Sequence, residues 1–381
     1  VSPRAEIVVD LAAFRHNIAS LAELVAPARL LVVLKADAYG HGLLECGRAA
    51  REAGAGWLGV ATLDEAMALR TAGDTGRLFA WLTVPGEDLA SALDADIDLA
   101  AYGVDQLDEI ALTGRRARVH LKVDTGMGRG GAAEPDWAAF FARAGELARE
   151  HKIEVAGIWS HFAAADAPVD PLNDAQENSF RRALALAGDH GIEPETRHLA
   201  NSAASILRPS SRFDLVRCGL ATYGLDPAPG HLPADLDLRP VMSVRTSLVM
   251  RKTIPAGGGV SYGHTWTAPR ETPVGLVPLG YGDGIPRHGS SRAEVMVAGA
   301  RVRVLGRICM DQFVVDLTGV AAERGAQVTI FGNGTAGEPT AQDWAEACDT
   351  ISYEIVTRTG GRLVRRQTDS GATTGGDDEW V

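Results

Sequence analysis

The sequence predicts an α/β fold: a (β/α)8 TIM-type barrel followed by a mostly β C-terminal domain. Three observations carry this. From residue 31 to about 220, eight short apolar runs alternate with amphipathic stretches. No GxGxxG follows the first run, which removes the main reason to prefer an open Rossmann sheet. After residue 240 the texture becomes short alternating runs broken by Gly, Pro and Asn turns. Strand and helix alternating at this spacing imply parallel strands joined by right-handed crossovers. Eight such units point to closure into a barrel.

In chain order, EIVVD (6–10) precedes the first barrel helix and is expected to pair with the second domain. Barrel strands are expected at LVVLK (31–35), WLGVAT (57–62), RLFAWL (77–82) and IDLAAY (97–102). RVHLKVD (118–124), VAGIWSH (155–161), TRHLAN (196–201) and DLVRCG (214–219) complete the eight. Between them lie helical patterns such as LDEAMALRTAG, WAAFFARAGELAREH and ENSFRRALALAGDHG, several ending in the glycine that stops a helix. The boundary falls near residue 238, in DPAPGHLPADLDLRP, so the barrel spans 11–238 and the β domain 1–10 plus 239–366. Late helices are expected in AQDWAEACDT and SYEIVTRTGG. The stretch 367–381, small, polar and acidic, reads as a flexible tail.

A chain of 381 residues is long enough for two domains and a sizeable core. Its net charge of −12 argues against nonspecific attraction to nucleic acid or anionic lipid. No apolar run approaches the ~20 residues of a membrane span, and VSPRAEIVVD lacks a secretory pattern. The four cysteines lie far apart without a CxxC pair, which suits a reducing, cytoplasmic setting. The histidines show no zinc-ligand spacing, so no metal is expected.

Barrel chemistry sits at the C-terminal ends of the strands. Those ends here carry Lys35, then Lys122 with Asp124, His161, Asn201 with Ser202, and Arg217 with Gly219. Alone, Lys35 reads as a lysine running from a strand end into water; five polar ends on one rim outweigh that. Barrels often bind phosphate after strands seven and eight, and Ser202 opens a helix start, NSAASIL, with unpaired N–H groups. Gly219 lets backbone approach an anion. A lysine opposite a phosphate cradle is what pyridoxal 5′-phosphate needs: an amine for its aldehyde and N–H groups for its phosphate. A sugar-phosphate barrel with an incidental lysine is the competing reading.

LKADAYGHG resembles the cofactor-lysine motif of alanine racemases, in which the residue at Asp37 is more often Asn. LKVDTGMGRGG, SHFAAAD, RHLANSAA, VRCGLATYG, VSYGHTW, PLGYGDG and GRICMDQ resemble further motifs of that family, in order, from about residue 6 to 366. The resemblance implies a barrel, a β domain begun by the N-terminal strand, and a homodimer with active sites shared between subunits. It implies Lys35 as cofactor lysine and catalytic base, with a depressed pKa. Tyr262 is the implied second base, contributed across the dimer; a tyrosine ordinarily titrates near ~10 and needs positive surroundings to act near neutrality.

By the same resemblance, Arg217 faces the pyridine nitrogen and His161 hydrogen-bonds to it. Arg129 reaches the cofactor's phenolic oxygen and the substrate carboxylate. Lys122 matches a position carbamylated in many relatives; otherwise it is a plain lysine paired with Asp124. Tyr39, Ser202, Gly219, Leu220 and Tyr353 are the implied phosphate binders, with Asn201 beside them. Met310 would bind the substrate carboxylate from the other subunit, and Tyr281, Arg287, Arg307 and Asp311 would line the entrance. The implied activity is interconversion of L-alanine and D-alanine through an imine by two bases, serving the cell wall. A serine or broad-specificity racemase remains an alternative. A decarboxylase of this fold would place an acid where Arg217 stands, and a non-catalytic cofactor carrier would lack the β domain.

Overall fold

Parallel strands covered by helices outside and by packed side chains inside meet water on neither face, so they read as unbroken apolar runs. The eight runs form such strands in the computed structural model, which describes residues 3–369. The chain opens with β1 (Ala5–Asp10), α1 (Leu11–Val25), β2 (Arg29–Val33), α2 (Leu43–Glu52) and β3 (Trp57–Val60). There follow α3 (Leu63–Thr71), β4 (Arg77–Ala80), α4 (Leu89–Asp94), β5 (Asp98–Ala101), α5 (Val104–Leu112) and β6 (Ala117–Lys122). The barrel ends with α6 (Trp137–Arg149), β7 (Ile153–Trp159), α7 (Pro171–Asp189), β8 (Thr196–His198), α8 (Ser202–Leu207) and β9 (Leu215–Cys218).

These strands form one parallel sheet in the order β8-β7-β6-β5-β4-β3-β2-β9. Its last seam is drawn together by Arg217 N–H donating to Ala200 O at 3.0 Å and Asp214 N–H to Arg197 O at 3.1 Å. The result is a near-closed barrel. Leu31, Leu58, Phe79, Leu99, Leu121 and Ile158 are fully buried along its strands. Burying one such side chain contributes roughly 1.5–3 kcal/mol.

The remaining elements are β10 (Met242–Ser247), β11 (Met250–Ile254), β12 (Gly259–Val260), β13 (Trp266–Thr267), β14 (Thr272–Val277) and β15 (Glu294–Val297). After these come β16 (Ala300–Leu305), β17 (Phe313–Asp316), β18 (Gln327–Phe331), α9 (Ala341–Ala347), α10 (Ser352–Arg358) and β19 (Val364–Thr368). Nine of the strands make one sheet, ordered β11-β14-β17-β16-β15-β18-β10-β1-β19. EIVVD therefore pairs as expected, antiparallel to β10 and parallel to β19.

One buried carboxylate ties that pairing down. Asp283 is fully buried and bound by Arg4 Nη2 at 2.6 Å, just ahead of β1, and by Arg362 Nε at 2.9 Å, just ahead of β19. Burial pushes its carboxyl up, but Arg4 and Arg362 outweigh it and hold the group below the ordinary carboxylate range.

Internal contacts divide the chain into two units. One runs through Phe14, takes in Tyr39–Gly42 and resumes at Arg239; the other comprises Arg15–Ala38 and Leu43–Leu238. Gln367 and Thr368, expected in the tail, belong to β19, where Thr368 partners Asp10. The rest of that tail from residue 370 lies outside the described residues. Among the described residues, no helix is long and apolar enough to cross a membrane.

Candidate active site

Lys35 stands two residues beyond β2, at the start of a left-handed turn. Ala36, Asp37, Ala38 and Tyr39 all have φ near +54°. No glycine shares the strain, which costs about 1–2 kcal/mol per L-residue. The surroundings over-determine the turn, the condition under which such strain persists. Ala36 N–H donates to Glu65 Oε1 at 2.6 Å, Ala38 N–H to Leu34 O at 2.7 Å, and Leu43 N–H to Asp37 Oδ1 at 2.7 Å. Glu65 is itself fixed as the third residue of α3, closing a capping box with Thr62. The turn ends at Gly40, φ +81°, where a Cβ would lie 2.5 Å from Val356 O.

Around Lys35 the barrel gathers like charges. Burial lowers the Lys35 pKa first, then Arg129 and Arg217 lower it further, against a smaller opposing pull from Glu65. Lys122, at the end of β6, is pushed down to about 8 by burial and by the same two arginines. Its Nζ lies over the rings of Tyr102 at 4.8 Å and Trp159 at 4.6 Å. Asp124 makes no ion pair with it: its carboxylate accepts from the N–H groups of Gly126, Met127 and Gly128 at 2.9, 2.9 and 3.2 Å. Asp124 thus shapes the loop that carries Arg129.

Arg217, near the end of β9, is buried and fully engaged on one side. Its Nη1 donates to His198 O at 3.0 Å and His198 Nδ1 at 3.2 Å; its Nη2 donates to Ser160 O at 2.7 Å and His161 Nδ1 at 3.2 Å. Burial pushes its pKa down to about 9, so it stays charged at neutral pH. His161 must accept from this arginine and is therefore neutral; burial and Arg217 hold its pKa well below the imidazole range.

The phosphate candidates divide. Asn201 caps α8, its Oδ1 accepting from Ala204 N–H at 3.1 Å. Ser202 Oγ accepts from Gly219 N–H at 2.9 Å, which leaves its own O–H as the donor. Gly219 N–H is thereby committed inside the protein, whereas Leu220 N–H has no partner among the described residues. In the other unit Tyr39 and Tyr353 lie together, ring centroids 6.2 Å apart. That unit also carries Tyr262 (72% exposed), Met310 (53%) and Tyr281 (42%). Ser261 Oγ donates to Arg307 O at 2.7 Å, Asp311 pairs with Arg362 at 2.7 Å, and Arg287 opens a one-turn 3-10 helix.

Three functional candidates were missed from sequence: Asp98, His120 and His198, all fully buried. A signal was there. Arg118, His120 and Lys122 alternate with Val119, Leu121 and Val123 along a barrel strand, so one whole face of β6 is polar.

Burial also makes an acid-side stability prediction. His120, His161 and His198 all have lowered pKa values, with burial the largest cause. The unfolded chain therefore binds protons that the folded chain refuses. The stability is fully present above ~6.5, the ordinary imidazole value, and is lost as pH falls, at about 1.4 kcal/mol per pH unit per histidine. Urea midpoints should decline gently near pH 8, where Lys122 with its pKa of about 8 takes up its proton, and fall steeply below ~6.5, where the three histidines add their slope. A midpoint level down to about pH 5 would contradict neutral buried imidazoles.

Four cations crowd one barrel end here, and Glu65 and Asp124 oppose their charge without cancelling it. Such a cluster is stable against an anion, which makes this a barrel enzyme for a small anionic molecule. The family models for the alanine racemase N-terminal domain and C-terminal domain match residues 9–227 and 241–367. An alanine racemase of Frankia casuarinae is 50% identical over 364 residues, 94% of this chain and 95% of the relative. One from Streptomyces coelicolor is 50% identical over 372 residues, covering 95% of each. The crystal structure of alanine racemase from D-cycloserine producing Streptomyces lavendulae superposes with a TM-score of 0.95 at 48% identity, covering 97% of this chain and 98% of that one. The chain belongs to the alanine racemase family.

Proposed function

We propose that this chain racemises alanine with pyridoxal 5′-phosphate, as a cytoplasmic homodimer that supplies D-alanine for the cell wall. The observation that carries the reading is Lys35: an amine with lowered proton affinity, held on a strained turn beside Arg129 and Arg217. The donor set fits the cofactor, which is anionic at its phosphate and phenolic oxygen. When bound, it supplies an aldehyde that captures amines and a ring that acidifies the substrate's Cα–H.

Lys35 holds the cofactor aldehyde and moves the Cα proton on one face. Arg217 would donate to the ring nitrogen; because a guanidinium does not release its proton, Arg217 would keep that nitrogen unprotonated and so favour prompt return of the proton to Cα over side reactions. The Ser202 hydroxyl and Leu220 N–H, with the hydroxyls of Tyr39 and Tyr353, take the phosphate. Gly219 and Asn201 shape that cradle through Ser202 and α8. Arg129 reaches the phenolic oxygen and, with Met310 N–H of the partner subunit, the substrate carboxylate. Tyr262 of the partner subunit acts on the opposite face; its exposure in a single chain, with that of Met310 and Tyr281, supports a second subunit covering them. Tyr281, Arg287, Arg307 and Asp311 restrict the entrance to a small side chain. Lys122, with Asp124 engaged elsewhere and a pKa near 8, offers a free amine to CO2. The resulting carbamate would be an anion able to fix Arg129.

Purified protein given either enantiomer of alanine should bring both to an equal mixture on chiral chromatography. It should also show an absorption band at the violet edge, and act on serine far more slowly. A colourless protein, or one inert toward alanine, would overturn the reading.

A further inference from the structure

We propose that Asp98, His120 and His198 form a hydrogen-bond relay of fixed polarity through the barrel interior, which positions Arg217 against the cofactor's ring nitrogen. The inference rests on the placement of Arg217 at that nitrogen given above. Asp98 is the first residue of β5, at the N-terminal end of the barrel. Its carboxylate is held by Arg77 Nη2 at 2.7 Å and Arg118 Nε at 2.6 Å. His120 Nε2 lies 3.3 Å from Asp98 Oδ2, and His120 Nδ1 lies 2.9 Å from His198 Nε2. His198 Nδ1 lies 3.2 Å from Arg217 Nη1, at the opposite end of the strands. The connection therefore runs the length of the barrel.

Its two ends fix every proton. Arg217 can only donate and an ionised Asp98 can only accept. His198 Nδ1 must then accept, so its proton is on Nε2 and points at His120 Nδ1. That nitrogen must accept in turn, which puts the His120 proton on Nε2, facing Asp98. Protonating His120 on Nδ1 would force His198 to carry its proton on Nδ1, donor against donor at Arg217. No second arrangement satisfies all three bonds. Asp98 thus dictates the lone pair that receives one Arg217 N–H, and so completes the set of acceptors, with His198 O, Ser160 O and His161 Nδ1, that orients the guanidinium.

The packing serves this arrangement. His120 packs against Phe79, centroids 4.2 Å apart and tilted by 33°, and His198 lies parallel to Trp159 within 1°. Glycine at position 157 makes the room: a Cβ there would sit 2.2 Å from His120 Nδ1. Burial lowers the proton affinity of both imidazoles, in keeping with the neutral forms.

The test has two arms. In ¹⁵N NMR of histidine-labelled whole enzyme, with and without cofactor, His120 and His198 should both show the Nε2–H tautomer and not titrate between about pH 5 and pH 9. Their signals are assigned by loss in His120→Gln and His198→Gln. In kinetics, Asp98→Asn can present an amide donor to His120 and reverse the chain, so kcat should fall about tenfold or more with the alanine KM within about twofold. Arg51→Gln, which removes an arginine bound to Asp74 and the carbonyls of Ala55 and Arg77, should lower stability and leave kcat unchanged. An Nδ1–H or cationic form at either ring overturns the relay, whether or not Asp98→Asn folds. So does unchanged kcat in coloured, racemising Asp98→Asn protein. A wild-type protein that neither colours nor racemises overturns instead the reading on which the relay rests.

Discussion

Lys35→Ala is expected to lose its visible absorption and its turnover of alanine together, with kcat down by about 10²–10⁴-fold or more. No other amine in the barrel can replace it. Lys122 is the nearest in character, but its Nζ is boxed by the Tyr102 and Trp159 rings at 4.8 and 4.6 Å. The backbone of the left-handed turn is held by Glu65, Leu34 and Leu43, so the variant should fold, with stability changed by about 1 kcal/mol. Lys35→Arg sharpens the test, because it keeps the charge and cannot release a proton near neutral pH. Both variants should be inactive, and a small primary amine in the buffer should partly restore only the alanine variant. Retained activity in Lys35→Arg would show that position 35 supplies charge rather than a nucleophile.

The turn bearing that lysine marks the limit of what the sequence reveals. LVVLK announces its strand plainly, since four apolar residues bounded by a polar one fit a strand buried on both faces. KADAY announces nothing: four non-glycine residues in left-handed conformation contradict local preference, and one of the bonds that hold the turn comes from Glu65, far along the chain. Helix signals were equally local and equally clear, as in Thr62–Glu65 at α3 or Pro171 after Asp170 at α7. Gly219 shows another limit. A glycine near the phosphate helix suggests a backbone N–H that can approach an anion, and the sequence does not show that Ser202 Oγ accepts from that N–H at 2.9 Å. The interior relay escaped because the polar face of β6 and the lone His198 of β8 do not name their partners in the sequence. Partners on three different strands, β5, β6 and β8, give it meaning, and that neighbourhood is set by sheet order rather than by sequence distance.

Tyr262→Phe should separate racemisation from proton exchange. The enantiomers of alanine have equal free energy, so any variant must lose kcat/KM equally in both directions. A ratio of forward to reverse efficiency therefore carries no information about which base serves which face. Exchange of Cα–H with deuterated solvent does carry it. Without the phenol, Lys35 should still remove and return the proton of whichever enantiomer presents it to the lysine face. Deuterium should enter that enantiomer at close to the normal rate, while racemisation and exchange of the other fall by about 10²–10⁴-fold. The substitution removes a single oxygen at a position 72% exposed in one chain, so a fold effect cannot mimic the result. The turn around it is set elsewhere, by Ser261 at φ +60° donating to Arg307 O, and by the Arg307 guanidinium 3.0 Å from where a Cβ on Gly263 would stand. Exchange lost equally from both enantiomers would place Tyr262 off the second face, and exchange kept in both would leave Lys35 serving the two faces alone.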